Sequence, residues 1–381
     1  MKNKAEVVII GGGAAGTSIA YNLAKRGITD VVLLEEKYVP FGGTGRCAAQ
    51  FRLQFGSVEN CKLGLLSVSQ FDTLGEETGY GDLEIIKHGY ILTSYEQESL
   101  DIQRKNVELQ KSLGIDSYIL DAKQSKEVVP YLSTEGLVGG SYCTGEGHIN
   151  PMKMVYAYKK GATDRGVEFN DYTKVTGIEV EGGKVKAVKT NKGTISTSCV
   201  VCAAGESSKY IGRMVGVRIP VEPAKRQILA TEPVEYIKAP MIYSFKHGTF
   251  ITQVPNGNFL MGSSEPNVRL GEVDFTPTWD FLERMAKLGI EQVPMFAHLR
   301  VIRQWAGQYG IAPDDSVILG KVPQVEGFHV ACGCTKATMF AGAIGTLVAE
   351  EIAGLKTSLP MEWYSIERFD EGRLIKDPAI L

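Results

Sequence analysis

The chain has 381 residues, 44% of them hydrophobic and 22% charged, with a formal net charge of −3. Such a chain exceeds one ordinary globular core, and it has no basic tract of the kind that follows a nucleic-acid backbone. No apolar run reaches the ~18 residues of a membrane helix, and the apolar run Val7–Ile10 is too short for a secretory signal. Seven scattered cysteines make no disulfide framework, so a reducing cytoplasm is expected.

The chain opens on Val7-Val8-Ile9-Ile10, then Gly11-Gly12-Gly13-Ala14-Ala15-Gly16, a helical segment from Thr17 to Arg26, and a second apolar run, Val31 to Leu34, closed by Glu35-Glu36. Strand, glycine turn, helix, strand and acid in this order form the unit that binds a dinucleotide. Gly11 supplies the tight turn, Gly13 the close approach to a pyrophosphate, and Gly16 the packing of helix on sheet. The pyrophosphate then meets the positive end of the helix. Glu35, which ends the strand, is the better candidate for the ribose hydroxyls, with Glu36 as the second choice.

A glycine-rich loop follows, Phe41-Gly42-Gly43-Thr44-Gly45-Arg46-Cys47, suited to a second backbone approach to the same cofactor. Arg52 lies among apolar neighbours and needs an anionic partner if buried, either a ligand carboxylate or a protein acid. Amphipathic helices are predicted over 60–78 and 94–113, with a strand over 87–92 between them. A short helix over 121–129 ends at Pro130, a strand covers 137–143, and the turn Gly145–Pro151 enters a helix over 152–165.

From residue 175 the pattern is a hairpin, 175–180 and 185–190 about Gly182-Gly183. A strand over 194–198 follows, then the buried run Cys199 to Gly205, whose small end, Ala203-Ala204-Gly205, is a further place for cofactor contact. Cys199 and Cys202 have metal-like spacing, but a strand turns them to opposite faces, so core filling is expected. Residues 217–306 hold β-rich runs at 227–231, 241–245, 249–254, 258–262 and 299–305, with one helix over 278–288. They read as a second domain roofing a ligand site. The chain then returns through a strand over 328–331, the turn Cys332-Gly333-Cys334-Thr335-Lys336 and a small-residue helix over 341–353.

Taken together, these landmarks resemble the amine-oxidising flavoproteins of the D-amino-acid oxidase and sarcosine oxidase type. The resemblance rests on the glycine opening, Gly43-Thr44-Gly45-Arg46 with Phe51-Arg52, Val201-Cys202-Ala203-Ala204-Gly205, Trp305-Ala306-Gly307, Pro313-Asp314 and the turn and helix from Gly333 to Gly345. The tail from Leu359-Pro360 to Arg368-Phe369 belongs to the same set. The C-terminal third looks most like the flavin-bearing β subunit of archaeal-type heteromeric, dye-linked L-proline dehydrogenases.

The resemblance implies a Rossmann-like FAD-binding domain interleaved with a substrate domain on a large mixed, mainly antiparallel sheet. The FAD-binding part would comprise 1–80, 147–216 and 307–381, and the substrate part 81–146 and 217–306. FAD would be held by Gly11, Gly13, Ala14, Ala15, Gly16 and Glu35 or Glu36. Gly43, Thr44, Gly45 and Arg46 would run along the pyrophosphate and ribityl chain, Val175 would meet adenine, and Ala203, Ala204 and Gly205 would lie beside them. Gly307 and the turn Gly333, Cys334, Thr335, Lys336, Ala337, Thr338, Met339 would meet the flavin ring.

Arg52 matches the arginine that takes the substrate carboxylate, and the reaction implied is hydride transfer from the amine-bearing carbon to flavin N5. Sarcosine oxidases use a lysine in the strand that here reads Gly257 to Gly262, and this chain has Leu260 or Met261 there. That departure favours a dehydrogenase over an oxidase. Lys336 stands where relatives carry a histidine, and their carboxylate-binding lysine falls at Met339. A second, non-covalent FMN at the interface with an α-type partner subunit is a further implication. No metal is expected, and the cysteines of the 332–334 turn are read as packing.

Overall fold

In the computed structural model, residues 1–263, 270–271, 274–333 and 335–378 are described. Val7–Ile10 is the centre of the first sheet, flanked in parallel by Val31–Leu34 on one side and Cys199–Cys202 on the other. All four of its side chains are buried: Val7 and Ile9 enter one core, Val8 and Ile10 the other. A strand buried on both faces needs an uninterrupted apolar run, which is what this sequence supplies.

The sheet has six strands, in the order Ile318–Lys321, Phe328–Cys332, Cys199–Cys202, Val7–Ile10, Val31–Leu34 and Glu168–Asn170. The first is an antiparallel edge strand; the others are parallel. Cys199 and Cys202 do face opposite cores.

The helix predicted from Thr17 starts earlier, at Ala14, and runs to Lys25. It crosses the C-terminal helix Ala341–Ile352 so closely that a Cβ on Gly345 would strike Ser18. This contact explains the run of small residues in that C-terminal helix.

The second sheet has eight strands, in the order Val301–Ile311, Glu222–Thr231, Phe259–Ser263, Thr249–Gln253, Met241–Ser244, Tyr90–Ser94, Gly139–Cys143 and Ser117–Leu120. All its pairings are antiparallel except Met241–Ser244 with Tyr90–Ser94. The strand expected to close at Trp305 continues to Ile311, because Glu222–Thr231 pairs with it along its whole length. The strand predicted from Lys87 begins instead at Tyr90, after a turn at Gly89, where φ is +86°. Ser117–Leu120, Glu168–Asn170 and Ile318–Lys321 were not predicted, since three or four residues carry too little periodicity to register.

The tail is tied back by one buried ion pair. Arg368 donates to both oxygens of Asp314, at 2.9 and 2.8 Å, and to the carbonyls of Tyr364 and Ser316. Both side chains are essentially unexposed, at 0% and 2%. Removing one partner of such a pair costs about 3–5 kcal/mol. The pair fixes the turn that also carries Asp315.

Candidate active site

A cavity of about 370 Å³ lies at the ends of Val7–Ile10, Cys199–Cys202 and Phe328–Cys332. This is where ligands enter an open parallel sheet. Gly11, at φ +112°, turns so tightly that a Cβ would strike the Ala203 carbonyl, and a Cβ on Gly16 would strike the Gly11 carbonyl. Gly16 therefore packs the helix on the turn and does not line the cavity. Gly11, Gly13, Ala14 and Ala15 do line it. The first-turn N–H groups of a helix have no intrahelical acceptor, and here the Ala14 N–H donates to Thr44 Oγ1 at 3.0 Å. The glycine loop is thus fastened onto the helix that would meet a phosphate.

Glu35 accepts from the Gly12 N–H at 2.9 Å and the Lys37 N–H at 2.8 Å. Burial raises its pKa, and those two hydrogen bonds oppose the rise. Glu36 instead forms an exposed ion pair with Lys174 at 3.0 Å, although it still borders the cavity. Gly43, Thr44, Val175, Ala203, Ala204, Gly205, Gly333, Thr335, Ala337 and Thr338 complete the predicted lining. Cys334 lies outside the described residues.

A second chamber of about 160 Å³ shares Gly43, Cys47, Gln308, Tyr309, Thr335 and Thr338 with the first, so the two adjoin. Arg46, Arg52, Gly307, Lys336 and Met339 all line this chamber and not the larger cavity. Gly45 lines neither; a Cβ there would press on the Pro40 carbonyl. The Arg46 guanidinium packs against both Phe41 and Phe275, at 4.3 and 4.5 Å from the ring centroids, while the two rings meet edge to face at 5.9 Å.

Arg52 is 5% exposed, with Phe55 at 4.7 Å, Tyr243 at 5.8 Å and Tyr90 at 6.0 Å from its guanidinium carbon. Burial holds the Tyr90 and Tyr243 phenols protonated, and Arg52 weakens that effect. Lys336 Nζ lies 2.6 Å from Asp315 Oδ2, which also accepts from Thr335 Oγ1 at 3.1 Å. Lys336 is therefore no solvated loop lysine, and its charge is largely matched inside the chamber.

Several site residues escaped the sequence reading. Gln308 and Tyr309 line both cavities from the part of the strand beyond residue 306. Asp315 follows the Pro313-Asp314 landmark, yet nothing local ties it to Lys336, 21 residues on. Glu146 is fully buried and accepts hydrogen bonds from Leu53 and Gln54. Its signal was the Gly145-Glu146-Gly147 turn, an acid set between two glycines.

No group of His, Cys, Asp and Glu able to hold a metal occurs among the described residues, and no described helix is long and apolar enough to cross a membrane. A glycine cradle with no room for a Cβ, helix N–H groups at its rim and a half-buried acid 19 residues past the last glycine fit an adenine dinucleotide. With a second chamber beside it that holds buried Arg52 and the Lys336–Asp315 pair, the molecule has the make-up of a dinucleotide-dependent oxidoreductase.

The family model described as FAD dependent oxidoreductase matches residues 6–351, and the chain belongs to that family. Its cofactor is FAD. Among solved structures it is similar to L-proline dehydrogenase from P. horikoshii, with 33% identity and a TM-score of 0.93, covering 98% of this chain and 100% of that one. It is 26% identical to sarcosine oxidase subunit beta of Rhodobacter capsulatus over 99% of this chain and 91% of that subunit. It is also 28% identical to the mitochondrial sarcosine dehydrogenase of Mus musculus, over 97% of this chain but 42% of that protein. The chain thus spans about two-fifths of the length of that dehydrogenase.

Proposed function

We propose that this flavoprotein oxidises a secondary or cyclic amino acid, with L-proline the first choice and hydroxyproline, sarcosine or glycine next. It passes the electrons to an acceptor other than oxygen. The observation that carries this reading is the chamber itself: a buried arginine among three aromatic rings, in a chamber that shares six lining residues with the cofactor cleft. Bound FAD supplies the acceptor for the hydride that leaves the amine-bearing carbon.

In this reading Arg52 takes the substrate carboxylate in a bidentate hydrogen bond, strong because the guanidinium is buried and charged. Tyr90 and Tyr243, protonated and uncharged, wall the ring of the substrate without competing for the arginine. Lys336, held by Asp315, orients the turn that faces the isoalloxazine, with Met339 beside it. Residues 1–80, 147–216 and 307–381 serve the cofactor and 81–146 and 217–306 the substrate. The resemblance to β subunits supports an α-type partner in a hetero-oligomer and a second, non-covalent FMN at their interface, in the cytoplasm.

Purified protein titrated anaerobically with L-proline is expected to lose its yellow absorbance and to reduce a dye far faster than oxygen. Rapid peroxide formation would make it an amine oxidase. Bound FAD with no bleaching by any small amine would make it an electron-transfer or scaffold subunit. Chromatography of the released flavin separates FAD alone from FAD with FMN.

A further inference from the structure

Arg52 to Phe55 carries no helix or strand, yet it is buried and borders the chamber. Buried N–H groups in such a segment need acceptors from elsewhere. Those of Leu53 and Gln54 both donate to Glu146 Oε1, the second at 2.6 Å. Gln54 Nε2 donates to Glu146 Oε2 at 2.8 Å and to the Tyr90 carbonyl at 3.0 Å. Glu146 is 0% exposed and is itself anchored, its carbonyl accepting from the Gly89 N–H at 2.9 Å. Three donors therefore converge on one carboxylate directly behind the arginine.

We infer that Glu146 is a positioning residue, fixing through Leu53 and Gln54 the segment that presents Arg52 to the substrate carboxylate. The inference rests on the reading of Arg52 given above. An anion suits the task, because charge-assisted hydrogen bonds are about twice as strong as neutral ones and both oxygens are in use. Burial pushes the Glu146 carboxyl up to about 7, against the pull of those hydrogen bonds and of Arg52.

The other titratable groups that feel Glu146 are Cys61, Tyr90, Tyr142 and Cys143, and burial with the Glu146 charge raises all four. They stay neutral across the pH range in which Glu146 titrates. Below that midpoint one Glu146 oxygen becomes a donor and competes with an N–H it had accepted. The segment then loosens, and substrate binding weakens.

The test uses the holoenzyme, with KM and kcat for L-proline and the Kd of acetate read from the flavin spectrum between pH 6 and 9. Glu146→Gln is expected to retain FAD, to raise KM and the acetate Kd about tenfold, the ~1.4 kcal/mol scale of a charged hydrogen bond, and to leave kcat within about twofold. It should also lack the rise in KM that wild type shows as the pH falls through about 7. Combined with Arg52→Gln, its effect should be less than additive, since both act on one contact.

Wild-type KM and pH profile in Glu146→Gln, alongside a raised KM in Arg52→Gln, would overturn the inference and leave the arginine's role intact. An unchanged acetate Kd in Arg52→Gln would remove that role and this inference with it. Should Glu146→Gln not fold, Gln54→Leu removes one donor and leaves the carboxylate. It is expected to raise the acetate Kd about threefold, as loss of one modest hydrogen bond does, and to move the midpoint of the pH profile upward. An unmoved midpoint counts against the inference.

Discussion

The glycine-lined cleft and the chamber beside it share six lining residues and are built on opposite principles. The cleft is made of backbone: Gly11, Gly13, Ala14, Ala203 and Gly205 come close because they carry little or no side chain. The chamber is made of side chains, Arg52, Tyr90, Tyr243, Asp315 and Lys336, drawn from segments far apart in the chain. A cofactor common to many enzymes can be gripped by peptide groups, whereas a particular substrate needs charges and rings in particular places. The cleft should therefore be sensitive to added atoms, and the chamber to changed charge.

Gly16→Val is expected to have the largest effect. Even a bare Cβ there would meet the Gly11 carbonyl, and overpacking of this kind costs roughly 1–3 kcal/mol or more. The variant should purify colourless, checked by the ratio of flavin to protein absorbance; a yellow, fully loaded variant would break the comparison on the cleft side.

Arg52→Gln should come next, with KM for the amino acid raised about 100-fold, the ~2.8 kcal/mol of losing both hydrogen bonds of a bidentate charged pair. Its flavin content should stay normal, and steady-state kinetics on flavin-matched enzyme would show this. Lys336→Met leaves the Asp315 carboxylate in the chamber without its cation. A substrate carboxylate is then repelled, and KM is expected to rise about tenfold, or ~1.4 kcal/mol. An unchanged KM would return Lys336 to a structural role.

The smallest effect is expected at Glu35. Its pKa is raised, chiefly by burial, so its contribution to stability is complete below the ordinary carboxylate range and is lost as the pH rises through the folded value. Above that folded value the FAD-free protein carries a half-buried anion whose cost the Gly12 and Lys37 N–H groups offset only in part. Glu35→Gln gives up one of the two backbone N–H bonds, and its stability relative to wild type in the FAD-free state should improve as the pH rises through the folded Glu35 value. Its FAD affinity should fall about fivefold, the ~1 kcal/mol of one hydrogen bond. Thermal melts with and without FAD would check both.

Legibility followed the same division. Glu35 and the glycines of the opening turn were readable because their partners lie within one strand–helix–strand unit, where spacing alone dictates contact. Arg52 was recognisable as a buried cation, but whether its anion would be a ligand or the protein was not. The structure sets Glu146, 94 residues on, against the backbone that follows Arg52, and Arg52 itself in the wall of the chamber. Arg46, expected along the cofactor, packs against Phe41 and Phe275, a pairing that no local pattern announces.

The sequence by itself determined the dinucleotide unit, the two-sheet class and the acid at the end of the second strand, because short-range geometry and strand periodicity are written in consecutive residues. The tertiary structure alone decided that Lys336 meets Asp315, that Gln308 and Tyr309 bridge the two cavities, and that Glu146 backs Arg52. Each of these depends on which strands become neighbours in the sheets and on which buried polar group lies nearest to satisfy another.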